Sequence, residues 1–576
     1  MRKLIGGALA LCLIMGCTPK PEPPKAPLIA SPNALFEDVA PKAGVRFTAN
    51  TGVSGGRFYF IESTPSGGGF IDFDNDGNLD LFLVQPGGAS SPDQLKGERP
   101  HCALFRNNGE GAFTEATAGS GFDKDLGYAH GIAVADYDND GYDDIFVTST
   151  PHNFLFHNEK GTGKFTDVTA KRGLDKTHST GYATSAAFGD YDNDGKLDLY
   201  VCYYGPWSPA TDKPCTNAQR QRDYCTPEIY EADVHQLFHN DGTRFTDVSE
   251  RSGISKSKGR GLAVAFIDYD EDGKQDIFVA NDLTPNMLWH NKGGGVFENV
   301  ASEAGCAYAE NGSLMAGMGI GIGDYNRTGH ASLFVTSFAG MPNTLFKNQG
   351  DGLFENVADT SRVASAHMKY LSFGCEFIDY DADGWLDLMM SNGHVQLFVD
   401  PKLSVGLKQP KRLYRNQANG TFLPIEDAAL LGDLNKPVIS RGLAIGDFDN
   451  DGWLDALATN QNDPAQLFRN RGVGKNATIG FKLIGRKSNR NGCHAKITLT
   501  DSKGAVHTDW VRAGSSYLSA SDQRVYFGLG SAIKATNVEV HWPSGTVDKL
   551  ADVSAGVLYT LIEGESITQT TPFRTK

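Results

Sequence analysis

Residues 190–198 read Asp190-Tyr191-Asp192-Asn193-Asp194-Gly195-Lys196-Leu197-Asp198, and this D-x-D-x-D-G-x-x-D phrase decides the fold because it repeats. Further copies are Asp72/Asp74/Asp76/Gly77/Asp80, Asp136/Asp138/Asp140/Gly141/Asp144, Asp268/Asp270/Asp272/Gly273/Asp276, Asp379/Asp381/Asp383/Gly384/Asp387 and Asp447/Asp449/Asp451/Gly452/Asp455. A decayed copy runs Asp324, Asn326, Thr328, Gly329, Ser332. Four carboxylates within nine residues repel one another, and a hard divalent cation is the best reason to keep them together. Calcium takes roughly six to eight oxygen ligands and mixes carboxylate, carbonyl and water. Alternating aspartates at positions one, three and five turn three short carboxylates into one concavity. The glycine at position six admits the sharp turn. Position seven is expected to offer a backbone carbonyl, and its side chain varies freely: Asn78, Tyr142, Lys196, Lys274, Trp385, Trp453. Position four is expected to face water, and the aspartate at position nine to close the cage from the start of a strand.

About six calcium sites follow from this pattern. A D-G turn without metal would explain a single copy, since Asp and Gly favour turns. Six copies with the same four aspartates argue against it. Magnesium is the minor alternative, with its stricter octahedron and retained waters. The decayed copy offers weak neutral ligands and reads as a metal-free turn or a low-affinity site.

Two more pieces recur between the phrases. One is Leu-aromatic-x-Asn, ending at Asn107, Asn158, Asn240, Asn291, Asn348, Asn416 and Asn470. The other is a strand that starts with Phe, such as Phe165-Thr166-Asp167-Val168. A small-residue strand precedes each phrase and an apolar strand follows it. Phrase starts lie 54 to 78 residues apart. Four short strands per unit and seven units predict an all-β chain, a seven-bladed β-propeller over 34–473. Glycine and alanine on the first strand suit a crowded axis. The last Leu-Phe-Arg-Asn has no Phe strand after it, whereas a stray Phe36-Glu37-Asp38-Val39 sits near the N-terminus. That strand is expected to close the ring, which would otherwise expose an unpaired edge.

The 576 residues carry 53 basic and 69 acidic side chains, net −16. The acidity belongs largely to the phrases, and no basic stripe suggests nucleic acid. Residues 1–16 read as a signal peptide, too short to span a membrane. Ile14-Met15-Gly16-Cys17 resembles a bacterial lipobox, which implies lipidation of Cys17 and anchoring at the outer membrane or cell surface. A cleaved signal with release of a soluble protein is the alternative. The proline-rich stretch 17–33 reads as a stiff tether. Cys215 and Cys225, within one polar insertion, are the best disulfide pair for an exported chain. Cys102, Cys202, Cys306, Cys375 and Cys493 read as buried small apolar residues.

These features resemble the FG-GAP/VCBS repeats of integrin α-subunit propellers, and more closely the cartilage acidic protein family with its bacterial relatives. That family ends in a domain called ASPIC/UnbV. Here the end reads Asn489-Arg490-Asn491-Gly492-Cys493-His494-Ala495-Lys496, then Arg512-Ala513-Gly514-Ser515-Ser516-Tyr517-Leu518-Ser519 and Val540-His541-Trp542-Pro543-Ser544-Gly545. His494 stands where the family usually has glycine, so that turn is expected to differ. The module is placed at 476–566, with 567–576 as a tail. Alternation in Lys496-Ile497-Thr498-Leu499-Thr500 independently fits a small β-sandwich. The resemblance implies calcium binding and extracellular interaction, and no settled reaction.

Loops joining the second and third strands share the rim opposite the phrases. The insertion at about 203–235, with Tyr203, Tyr204, Trp207 and Tyr224, is the largest and could present a ligand face or be solvated filler. His157, His239 and His290 read as strand-surface residues, because Arg106, Lys347, Arg415 and Arg469 replace them in sister repeats. No catalytic residue and no other cofactor-binding residue is assigned. The chain is read as a calcium-binding, lipid-anchored adhesion or binding module for a protein or polysaccharide. The alternatives are a polysaccharide lyase or hydrolase at the axis, with Glu62, Asn281, Asp282 and His394 as test residues, or a scaffold subunit of an exported complex.

Overall fold

The small-residue run ahead of each phrase becomes an innermost strand, and the phrase turns the chain into the second. In this computed structural model, residues 33–52, 58–87, 101–175, 181–217, 219–365, 367–472 and 474–575 are described. The expected signal 1–16, the expected lipidation site Cys17 and the expected tether as far as residue 32 lie outside them. Among the described residues, no helix is long and apolar enough to cross a membrane.

Among the described residues there are seven four-stranded antiparallel blades, the first extended by one strand from the C-terminal domain. Blade three shows the plan: Gly181–Gly189 inside, then Asp198–Pro206, Gln236–Asn240 and Phe245–Asp247. Every phrase ends on the first residue of a second strand, from Asp80 to Asp455. Blade seven is completed by Phe36–Asp38, whose Phe36 lies opposite Asn470. The ring is therefore closed by the N-terminal strand, as the unmatched Phe repeat requires.

The asparagine of each Leu-aromatic-x-Asn knits neighbouring blades. Asn240 Nδ2 donates to the Tyr137 carbonyl of blade two at 2.8 Å, and Asn291 to Tyr191 of blade three at 2.7 Å. The same bond runs from Asn158 to Phe73, Asn348 to Tyr269, Asn416 to Tyr325, Asn470 to Tyr380 and Asn107 to Phe448. Seven buried bonds thus join each blade to the one before it and return from blade one to blade seven. A buried carbonyl left without a partner costs about 1–3 kcal/mol, so the regular recurrence of this motif along the chain has a structural reason.

Residues from Thr478 onward fold into two four-stranded sheets packed face to face, a β-sandwich. Their inner faces bury Phe481, Leu499, Val538 and Leu561. The segment read as a tail is not loose. Ile567–Pro572 is a strand paired with Val557–Ile562, and Arg574 donates from its backbone N–H to the Asn450 carbonyl. His494 keeps a left-handed backbone (φ 75°), so the glycine-type turn is retained despite its side chain.

Candidate metal centres and the docked C-terminal domain

Each acidic loop is held by its own first carboxylate. Asp136 accepts from the backbone N–H groups of Asp140 (3.0 Å) and Gly141 (2.7 Å), and Asp190 does so from Asp194 and Gly195 at 3.0 Å. Asp379 and Asp447 repeat this with Gly384 (2.8 Å) and Gly452 (2.9 Å). The glycine sits in the left-handed region, φ 97° at Gly141, where a side chain would be strained. The aspartate at position nine is fully buried. Asp198 accepts from Tyr191 N–H (3.2 Å) and Asn240 N–H (2.8 Å), tying loop, strand and neighbouring hairpin.

Position three has no such role. Oδ1 of Asp74, Asp138, Asp270 and Asp381 is buried without a hydrogen-bond partner. Such atoms are expensive to keep unless something else satisfies them. Ligand atoms of Asp72, Asp74 and Asp76 lie within 4.8 Å of one another, as do those of Asp136, Asp138 and Asp144. Burial pushes the Asp80 carboxyl up to about 8, Asp136 to about 8 and Asp276 to about 9, with neighbouring aspartates adding to the rise. A divalent cation would satisfy the unpartnered oxygens and reverse that repulsion. The clusters therefore fit a metal ion.

Position four is exposed, as expected, at Asn75, Asn139, Asn193 and Glu271, and buried at Ala382. It also has a role that the sequence did not show. Its backbone is left-handed, φ 59° at Asn139, and its side chain reaches the next blade: Asn75 to the Gly141 carbonyl, Asn139 to Gly195, Asn193 to Gly273 and Asn450 to Gly77. In the decayed copy Arg327 does the same to Gly384 at 2.9 Å. Five of the seven steps around the rim use this bond; Glu271 instead reaches His330 at 3.0 Å, and Ala382 has no group to make one.

The three histidines are also not mere strand surface. His157 Nδ1 lies 3.5 Å from Asp138 and 3.3 Å from Asp144, and His239 and His290 repeat the arrangement. Arg106, Arg415 and Arg469 reach the corresponding Asp74, Asp381 and Asp449 at 2.5, 2.8 and 2.6 Å. The interchange of His and Arg keeps a basic side chain beside the position-three carboxylate.

Position five, read from the sequence as a metal ligand, has a second role, clearest at Asp383 and Asp451. Both are already engaged by the protein. Oδ1 of Asp383 accepts from Trp385 N–H and Oδ1 of Asp451 from Trp453 N–H, each at 2.9 Å. Oδ2 of Asp383 lies 3.3 Å from Arg415, and Oδ2 of Asp451 lies 4.0 Å from Arg469. The same turn bond recurs at Asp76, Asp140, Asp194 and Asp272. The physical reason is local: a short side chain two residues before a backbone N–H closes an Asx turn. A carboxylate oxygen has further lone pairs, so a cation would share Asp383 and Asp451 with the turn and the arginine.

The C-terminal domain sits on this acidic rim. Arg490 N–H donates to Asn139 at 2.7 Å, and Asn491 bridges Asp136 N–H and the Asp143 carboxylate. Lys496 pairs with Glu271 at 3.0 Å, Lys482 with Asp72 at 3.4 Å, and Asn476 donates to the Asp381 carbonyl. The Asn489–Lys496 motif is therefore a docking edge.

The second motif, Arg512 to Ser519, runs into the axis. Phe188 N–H donates to the Ala513 carbonyl of that segment, and Ile132 N–H to the Leu518 carbonyl. Ser516 exchanges backbone bonds with Ile320, and Ser519–Ala520 adds a parallel strand to blade one. Tyr517 is fully buried and donates to the Thr64 carbonyl at 2.9 Å. The crowding behind the axial glycines comes from this segment and not from the blades alone. A Cβ on Gly69 would stand 2.3 Å from the Ala520 carbonyl, and one on Gly131 2.8 Å from Leu518 Cα.

The opposite end of the axis is filled as well. Tyr203, Tyr204, Trp207 and Tyr224, read as a ligand face or as solvated filler, are all buried, and Phe60 packs on Tyr204 and Tyr230 at 4.9 and 4.7 Å. Apolar burial over the axis outweighed surface display. Cys215 and Cys225 do form a disulfide within the insertion, and the other five described cysteines are free and buried. Glu62, Asn281, Asp282 and His394 are each buried within this packing, and Asp282 accepts from Tyr204 at 2.8 Å. Arg441 lies fully buried above Phe373 and donates to the Ser63 and Gly393 carbonyls. Burial lowers its pKa to about 9.

Comparison with known proteins agrees with this division. An FG-GAP-like repeat family model matches residues 72–147, 136–201, 268–335 and 324–390, and the ASPIC and UnbV model matches 485–568. Cartilage acidic protein 1 of Homo sapiens is 26% identical over 461 residues, 76% of this chain and 63% of that protein. The Xenopus tropicalis protein is 26% identical, covering 73% and 62%. The chain thus spans just under two thirds of the length of these curated relatives. Among solved structures, an Agrocybe aegerita lectin described as recognising non-reducing terminal N-acetylglucosamine is 15% identical, with 69% of this chain and 86% of that one covered at a TM-score of 0.37. The chain is an FG-GAP-repeat β-propeller ending in an ASPIC and UnbV domain, similar over about three quarters of its length to cartilage acidic protein 1.

Proposed function

We propose that this protein is an exported binding module whose propeller is loaded with calcium at six loops and tethered to a membrane through lipidated Cys17. The observation that carries the calcium reading is the buried, unpartnered Oδ1 of Asp74, Asp138, Asp270 and Asp381, repeated around one rim. Calcium suits it because the donors are oxygens in irregular loops. The ions would be held by the four aspartates of each phrase together with the carbonyls of Asn78, Tyr142, Lys196, Lys274, Trp385 and Trp453. They would supply rigidity: loops that repel themselves would become a fixed platform under the C-terminal domain. The ligand would be a protein or polysaccharide outside the inner membrane, in line with the extracellular character that the repeats and relatives suggest.

Equilibrium dialysis followed by elemental analysis tests the loading, with about six calcium ions per chain expected at millimolar calcium. Fewer than two, or a preference for magnesium, would refute the assignment. Cys17→Ser tests the anchor: the variant should move from the membrane fraction to the soluble exported fraction. Unchanged fractionation would remove the tether from the proposal.

A further inference from the structure

Above blade four, an open cleft of about 530 Å³ separates the propeller from the C-terminal domain. That size falls within the roughly 300–1,000 Å³ of small-ligand sites. Its propeller wall carries Asn193, Glu271 and Gln275, and its other wall carries Lys496, Trp510 and His541. Apart from Asp268, which belongs to the blade-four acidic loop, the charged side chains there are already matched. Glu271 faces Lys496 and His330, each at 3.0 Å, while Glu539 faces Lys549 at 2.9 Å and His541 at 3.4 Å. An ionic ligand would have to break one of these pairs and leave a partly buried charge behind. A hydroxyl need not, because it donates to a remaining carboxylate lone pair or accepts from an ammonium or imidazole N–H.

The main chain of this wall offers a peptide only the Val506–Trp510 edge, since that strand ends its sheet. Lys496–Asp501 is paired on both sides, by Val506–Trp510 and by Lys534–His541. A peptide adding by strand pairing needs a free edge. The recognition groups are instead side chains around one half-buried indole. Trp510 packs on the blade-four core, with Lys496 Nζ 5.5 Å from its ring centroid. An apolar ring surface flanked by closely spaced donors and acceptors complements a pyranose, which has an apolar C–H side and hydroxyls that both donate and accept.

We propose that this interdomain cleft binds a neutral oligosaccharide, with Trp510 against one sugar ring and Glu271, Glu539 and His541 on its hydroxyls. The proposal rests on the binding-module reading and adds to it a place and a ligand class. The probes are a panel of neutral glucan, mannan and galactan oligomers, with acidic oligomers and short peptides as competing classes. Binding to the full-length, calcium-loaded protein is followed by calorimetry and tryptophan emission. One neutral oligomer should bind one to one and perturb the emission. His541→Ala and Trp510→Phe should each weaken it about tenfold. The His541 side chain is 52% exposed, so its variant should melt like the parent and keep the result interpretable. Neutral oligomers that bind equally to both variants would overturn the cleft while leaving a glycan-binding module. Binding of peptides or acidic oligomers alone would overturn the ligand class. No binding from any class would overturn the cleft, and a full calcium load in the same sample would show that the metal reading survives.

Discussion

Blade five and its six sisters make the same turn with different chemistry. Asp324 accepts from Thr328 N–H (2.8 Å) and Gly329 N–H (2.7 Å), as Asp136 does from Asp140 and Gly141. Ser332 receives Asn348 N–H at 3.2 Å, where its sisters use the position-nine aspartate. The bridge from Asn348 to Tyr269 is intact. The turn and the blade therefore need one carboxylate and one small acceptor. Aspartates at positions three and five are not required for the backbone path, since Asn326 and Thr328 stand there in blade five. The buried, mutually repelling oxygens of the sisters are what a cation would explain. The decayed loop separates what folding needs from what the proposed metal binding would need, within one molecule.

The largest expected effect breaks the comparison outright. Chelation should lower the melting temperature by about 10 °C or more, since each site contributes on the order of 1–3 kcal/mol when calcium exceeds its dissociation constant. Its pH dependence gives the sign. Aspartates whose folded pKa is raised bind a proton more tightly in the folded chain, so their contribution is complete below the unfolded value of 3.8. It is lost as pH climbs through about 8 at Asp80 and about 9 at Asp276. In chelator, calorimetry should show the protein melting higher at pH 5 than at pH 8, and millimolar calcium should flatten that trend. An unchanged melt in chelator would end the structural role of the metal.

Next in size is the shared framework. Asn240→Ala removes bonds to the Tyr137 and Leu197 carbonyls (2.8 and 3.0 Å) and should cost about 2–4 kcal/mol by denaturant unfolding, with or without calcium. Asn348→Ala should cost a similar amount, since that bond is common to both kinds of blade.

The C-terminal domain provides a control away from metal. Against the burial that would raise it, Ser544 and the N–H groups of Arg486, Lys487 and Ser488 hold Glu563 at about 2. Its stabilising effect is present above the unfolded value of 4.5 and lost as pH falls through about 2. Glu563→Gln should therefore cost on the order of 2–3 kcal/mol at pH 7 and little near pH 2, insensitive to chelator.

The smallest effect sharpens the comparison most. Asn326→Asp, Thr328→Asp and Ser332→Asp together should add one calcium ion per chain by elemental analysis, with about 1–2 kcal/mol of calcium-dependent stability. No added ion would show that the four aspartates of the phrase are insufficient.

Much of this was legible in the chain. The phrase, its spacing and the stray Phe36-Glu37-Asp38-Val39 indicate an all-β ring closed by its N-terminal strand, because each is a local pattern that recurs. The Cys215–Cys225 pair was readable for the same local reason. The side-chain traffic between blades was not. Asn139 and Asn240 make their decisive contacts with residues far away in sequence, and nothing in a single repeat names the partner. His157 meets Asp138 and Asp144 from a later strand of its own blade, which spacing alone does not reveal. Asp383 and Asp451 teach the same lesson, since the arginines beside them come from a later strand of the blade.

The sequence by itself determined the repeat, the turn chemistry and the demand for cations, since those depend on residues within nine positions of one another. Only the tertiary structure decided that the C-terminal domain stands on the acidic rim and threads Arg512 to Ser519 through the ring. It also decided that the insertion's aromatics seal the far end. Those outcomes depend on which apolar surfaces and unpaired backbone groups meet across the axis, and burial chooses that partner through space.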